Sequence, residues 1–160
     1  MYPFRKVDND YFFESDQGFQ YEIYFVAAPF YFPENYSFKH SVFEFVIKPA
    51  DSQKHLRPNR DFQIPLTIAS IFLDFFTSHE KVIVFSCDTT DGKQAARHRK
   101  FNDWYLRFND TTFLKYDGII QDPINETTYF MSLIIKSNNP FIHSIEAAFR
   151  ELTDDLTGEK

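Results

Sequence analysis

Cysteine occurs once in this chain, at Cys87, and glycine only 4 times in 160 residues. One cysteine excludes an intrachain disulfide and leads to the expectation of a reducing, cytoplasmic compartment. So few glycines leave little room for backbone cradles around phosphate, and no Walker A loop, dinucleotide fingerprint or nucleophile elbow occurs. No stretch approaches about 18 consecutive apolar residues, so no membrane span is expected. The opening segment, MYPFRKVDNDYFF, carries charge and lacks the apolar run of a signal peptide. His40, His55, His79, His98 and His143 are scattered without zinc-ligand spacing, and no metal site is expected. Positive charge is also scarce. With 17 Lys and Arg against 23 Asp and Glu, the net charge of −6 argues against a general nucleic-acid binder.

What the chain has in abundance is aromatic side chains, 21 Phe and 9 Tyr. Each buried ring removes a large apolar area from water, so a chain of this length can build a thick core. Rings left at the surface would form a face for a protein partner or a second copy of the chain. No linker, repeat or low-complexity tract interrupts the sequence, which reads as one domain over residues 1–152 with a polar tail at 153–160.

Residues Tyr11–Glu14 predict a strand, turned by Ser15-Asp16-Gln17-Gly18. In Phe19–Phe25 the residues Phe19, Tyr21, Ile23 and Phe25 recur at period 2, and Ser41–Lys48 alternates likewise. Arg60–Gln63 reads as a return strand after a polar loop. Pro65 then opens a helix carrying Ile68, Ile71, Phe72, Phe75 and Phe76 on one stripe, ending near His79. The continuous apolar run Val82–Cys87 predicts a strand covered on both faces, parallel to the strand before the helix. A second helix follows Asp91 and runs to about Phe108, with Phe101, Trp104, Tyr105 and Phe108 facing inward. Strands near Thr112–Ile120 and Thr127–Lys136 come next, and Asn139-Pro140 opens a final helix bearing Ile142, Ile145, Phe149 and Leu152. The fold class is therefore α+β, with a mixed, mostly antiparallel sheet and the order β-β-β-(β)-α-β-α-β-β-α.

Chemistry is concentrated where the Val82–Cys87 strand passes into the second helix. Helix N–H groups at such a junction favour anions, and Lys93, Arg97 and Lys100 fall at spacings that share a helix face. Arg60, Asp88, Asp91, Lys93 and Arg97 are the candidate ligand-binding residues. Against that stands a simpler reading: Asp88 or Asp91 caps the helix and the cations form a solvated face. Cys87, at the end of an apolar strand, reads as a buried structural thiol, and His98 has no forced proximity to it. No catalytic residue is assigned, and whether the chain is an enzyme stays open.

The set Arg60-Asp61-Phe62-Gln63-Ile64, Thr67-Ile68, Phe75-Phe76, Cys87-Asp88, Asp91-Gly92-Lys93-Gln94, Arg97, Arg99, Phe101 and Trp104 resembles a family of small, uncharacterised bacterial proteins. That family brings no activity with it. The order of elements also resembles the acyl-CoA N-acetyltransferase fold with its first helices missing. This second resemblance implies acetyl-CoA as cofactor and Arg60 and Arg97 as anion contacts. Acetyltransferases place a glycine-containing loop before the first core helix, whereas Arg57–Pro65 has no glycine. The leading expectation is thus a non-enzymatic binding or interaction domain without cofactor. The alternative is an acyl-CoA-dependent acyltransferase or other small-ligand enzyme. A third class, a nucleic-acid module, would use Arg97, Arg99, Lys100 and Arg107.

Overall fold

Alternating Phe and Tyr against polar residues builds the N-terminal strands. In the computed structural model, which describes residues 1–157 with side chains through Thr153, these are β1 (Phe4–Val7), β2 (Asp10–Glu14), β3 (Gln20–Ala27) and β4 (Val42–Pro49). They are followed by α1 (Gln63–Phe75), β5 (Val82–Ser86), α2 (Gln94–Phe108), β6 (Phe113–Asp122), β7 (Thr127–Lys136) and α3 (Ile142–Thr157). The 7-stranded sheet has the order β1-β2-β3-β4-β5-β7-β6. The β1–β2, β2–β3, β5–β7 and β6–β7 pairs are antiparallel, and β4–β5 is parallel, Val42 opposite Val82. The fold is α+β, with a mixed and mostly antiparallel sheet.

Two details differ from the sequence expectation. Arg60–Gln63 is not a strand; the fourth N-terminal strand is β1, which pairs Phe4 with Phe13. The reason is local: the Asp61 carboxylate accepts the Gln63 N–H at 2.8 Å, turning the chain into α1 two residues before Pro65. Helix α3 runs past Leu152 to Thr157. Thr153 is buried there, with its hydroxyl donating to the Phe149 carbonyl at 2.9 Å. Residues 158–160 of the expected tail lie outside the described residues.

The chain divides into two compact units, Met1–Val26 with Phe45–Thr77, and Ala27–Glu44 with the segment from Ser78 onward. The first is an aromatic core. Helix α1 buries Ile64, Ile68, Ile71 and Phe72, and Phe25 stacks on Phe75 with ring centroids 3.7 Å apart. Polar pins fix it at both ends: Tyr11 Oη donates to Asp74 at 2.7 Å, and Tyr2 Oη to Asp61 at 2.6 Å. In the second unit, alternate residues of β5, β7 and β6 face opposite ways. Val82, Val84, Met131, Leu133 and Ile135 join Ile145, Ala148 and Phe149 of α3 in one apolar cluster. On the other side Phe85 packs against Phe101 of α2, centroids 4.6 Å apart.

Candidate functional site

The loop from Cys87 to Lys93 is closed on itself. Asp88 accepts the N–H and the hydroxyl of Thr90, both at 3.0 Å. Gly92, at φ +69°, supplies the left-handed residue that turns the loop toward α2. Arg97 reaches back from the first turns of the helix and grips Asp91 with two bonds of 2.7 Å, adding a third to the Asp88 carbonyl at 2.9 Å. That paired contact holds the Asp91 carboxyl down to about 2. Lys100 lies over the Trp104 ring at 5.0 Å. Two of the three cations expected to share a face are thereby engaged within the chain, one with the loop and one with a ring. Lys93 is the exposed residue at the helix start, where its N–H is accepted by Asp91. Arg60 belongs to the first unit and lies over its own neighbour Phe62 at 4.8 Å.

Cys87 is 2% exposed, and burial pushes its thiol up to about 11. It is protonated at neutral pH, which removes its nucleophilicity.

A different set of residues converges beneath α2. In β6 the apolar residues Leu114, Tyr116 and Ile120 point toward α3, which sends Lys115 and Asp117 to the α2 side. The Lys115 ammonium, with a side chain only 4% exposed, donates to Asp117 and to Asn102 Oδ1. The rings of Tyr105 and Phe101 stand 5.7 Å and 6.0 Å from it. Ser132, wholly buried on β7, donates its hydroxyl to the same Asp117 oxygen at 2.7 Å. His98 completes the group: its Nε2 is 3.1 Å from Asn102 Nδ2 and 3.9 Å from Asp117. Its ring packs against Phe130, centroids 5.2 Å apart. Desolvation lowers the pKa of both Lys115 and His98. Only the Asp117 carboxylate, 42% exposed, opens substantially to water.

Gln94, His98 and Asn102 are spaced four apart on α2, one turn above another on its inner side. The aromatic stripe Phe101, Trp104, Tyr105 and Phe108 masks them in the sequence. Phe101 alone among these four is fully buried. Two buried atoms of this polar row, Gln94 Oε1 and His98 Nδ1, have no hydrogen-bond partner. Among the described residues, no three His, Cys, Asp or Glu side chains form a group that would hold a metal ion. Nor is any described helix long and apolar enough to cross a membrane.

Residues 60–151, more than half of the chain, match the family of unknown function DUF6169. The chain belongs to that family. Neither a curated protein nor a solved structure matches it. The DUF6169 segment begins at Arg60 and takes in α1, β5, α2, β6, β7 and α3 as far as Glu151, so every residue of the polar group lies inside it. Residues 1–59, with β1 to β4 and their aromatic rings, lie outside it.

Proposed function

We propose that this DUF6169 chain is a non-enzymatic binding domain that takes a small polar ligand on the α2 face of its second unit, around Asp117 and His98. One observation carries the reading: Lys115, Asp117, Asn102, Ser132 and His98 converge in an interface that packing alone would have filled with apolar side chains. Burying an ammonium is costly, and hydrophobic replacements of a buried pair are often neutral or stabilising. A charged group kept there, with one carboxylate open to water, fits recognition. The candidates for covalent chemistry are quiescent by comparison. Cys87 is protonated, and the Ser132 hydroxyl is committed as a donor.

Protein-observed NMR against a library of small polar fragments tests this. Amide signals of His98, Asn102 and Phe130 are expected to shift with at least one fragment, and Asp117→Asn should weaken that response. Binding confined to other surfaces sinks the proposal. A cleft of about 390 Å³ in the first unit is one such surface, lined in part by Arg5, Phe12, Glu14 and Gln20. Its polar groups already engage one another or a ring: Gln20 donates to Glu14, and Arg5 lies over Phe12. Phe30, 71% exposed beside buried Phe32, is another, and is the ring that a protein partner or second copy would meet.

A second reading, an acyl-CoA acyltransferase, is favoured by the parallel β4–β5 pair with α1 between them in the chain, and by the closing β6–β7 pair. Asp61 weighs against it. Its carboxylate already accepts the Gln63 N–H at the start of α1, where a pyrophosphate would need positive field. Calorimetry with millimolar acetyl-CoA is expected to show no heat. Saturable binding would favour the acyltransferase over the simple binding domain.

A further inference from the structure

The ligand class follows from hydrogen-bond bookkeeping under α2. Lys115 can only donate, so the Asn102 oxygen it meets must accept, which turns the Asn102 NH₂ toward His98. His98 Nε2, receiving that N–H, must present its lone pair. In the neutral ring the proton then sits on Nδ1, and this N–H is the donor left without a partner. One turn before it, the Gln94 NH₂ donates to the Thr128 carbonyl at 3.4 Å, leaving Oε1 as an acceptor without a partner. Buried groups of this kind are rare in folded proteins and call for a complement. Beside them stand the Phe130 ring and its cross-strand neighbour Ile119, an apolar side chain 40% exposed.

We infer that the site takes a neutral carboxamide carried on an apolar, planar body, its carbonyl accepting from His98 Nδ1–H and its N–H donating to Gln94 Oε1. The inference rests on the binding reading above. Among simple polar groups, an amide offers an acceptor and a donor side by side in one plane. A carboxylate has no hydrogen for Gln94 Oε1. An ammonium has no lone pair for the His98 N–H. The planar body lies against Phe130 and Ile119. Both polar atoms are closed to water, so entry requires Gln94 to swing outward, and its bond to Thr128 is long enough to release readily.

Benzamide, benzoate and benzylamine, three probes on one ring, separate the outcomes by titration of the intact chain in NMR. Benzamide is expected to shift the His98 ring nitrogens and the Phe130 signals, binding about tenfold or more tightly than the other two. Long-range nitrogen spectra of the free protein should show His98 protonated at Nδ1. In His98→Phe, whose fold is checked by its amide spectrum, benzamide binding should fall by about tenfold. Benzoate or benzylamine binding as well as benzamide on the α2 face would overturn the carboxamide assignment and leave the binding-domain reading standing. Undiminished benzamide binding by His98→Phe, or an Nε2–H tautomer, would do the same. A crystal soaked in benzamide that shows only a water between Gln94 and His98 overturns the assignment as well. If no fragment of any charge moves the α2 face, both readings fall together.

Discussion

The two faces of β5, β7 and β6 are made by the same strands and covered by helices of similar length, yet their chemistry is opposite. Toward α3 lie Val82, Val84, Met131, Leu133 and Ile135, a dry aliphatic surface. The Thr153 hydroxyl buried against it is satisfied within its own helix. Toward α2, the alternate residues of the same strands include Lys115, Asp117 and Ser132, and the helix adds His98 and Asn102. Close packing explains the first face completely. It does not explain the second, which keeps a desolvated ammonium and two unpaired atoms where aliphatic side chains would fit. The α3 side is packed from apolar side chains, and the buried polar and unpartnered groups are concentrated on the α2 side.

The largest effect should come from disturbing the dry face. Gly118 lies on the α3 side of β6, and a Cβ added there would stand 2.1 Å from Thr153 Cγ2 and 2.8 Å from its Cβ. A β-branched residue in a helix has little rotamer freedom with which to move aside. Gly118→Ala should therefore cost about 2–3 kcal/mol in urea unfolding. Pairing it with Thr153→Ala should recover part of that loss. A wild-type midpoint for Gly118→Ala would mean that α3 does not depend on this close approach, and the contrast between faces would weaken.

On the polar face the two partners of one ion pair should behave unequally. Asp117→Ala leaves the Lys115 ammonium buried with the Asn102 side chain as its remaining acceptor, and about 2 kcal/mol should be lost; exposure of Asp117 keeps this below the cost of breaking a fully buried pair. Lys115→Met removes the desolvated charge and fills its space, so the change should stay under about 1 kcal/mol. Chemical denaturation of the two variants checks the asymmetry. Equal and large losses would show the pair to be a structural bridge.

Most of the scaffold was legible because its signals are local. Period-2 Phe and Tyr marked the strands, the unbroken Val82–Cys87 run marked a covered one, and Asn139 does accept the Phe141 N–H at 2.8 Å ahead of α3. The polar site was not legible, because it needs two elements at once. Lys115 and Asp117 alternate with Leu114 and Tyr116, a pattern that in isolation reads as a solvent face. Only the position of α2 turns that face inward, and Gln94, His98 and Asn102 were hidden beside four aromatic residues on the same helix. The loop at Asp88–Lys93 stands out in the sequence because its charges are adjacent. Arg97 folds those charges onto one another, and neither Asp88 nor Asp91 caps α2: Asp91 accepts the Lys93 N–H in the turn before the helix, whose N-cap residue, Lys93, makes no side-chain cap bond.

The smallest effect concerns protons, and it tests whether the α2 face is as desolvated as its chemistry requires. Burial holds His98 below its ordinary 6.5, with Lys115 adding to the lowering and Asp117 opposing it. Between the folded and unfolded values the unfolded chain binds more protons, so stability must fall as pH drops through 6.5 and level off below the folded pKa. Other groups that exchange protons on unfolding would obscure this in the wild type alone. Their contribution cancels in the difference between wild type and His98→Phe, whose lost bond to Asn102 adds only a constant offset. Unfolding midpoints measured from about pH 7.5 to about pH 5 should therefore show the wild type losing stability relative to the variant on acidification. Parallel profiles would mean that His98 titrates like a solvated imidazole. The α2 face would then be wet, and its difference from the α3 face would reduce to hydration.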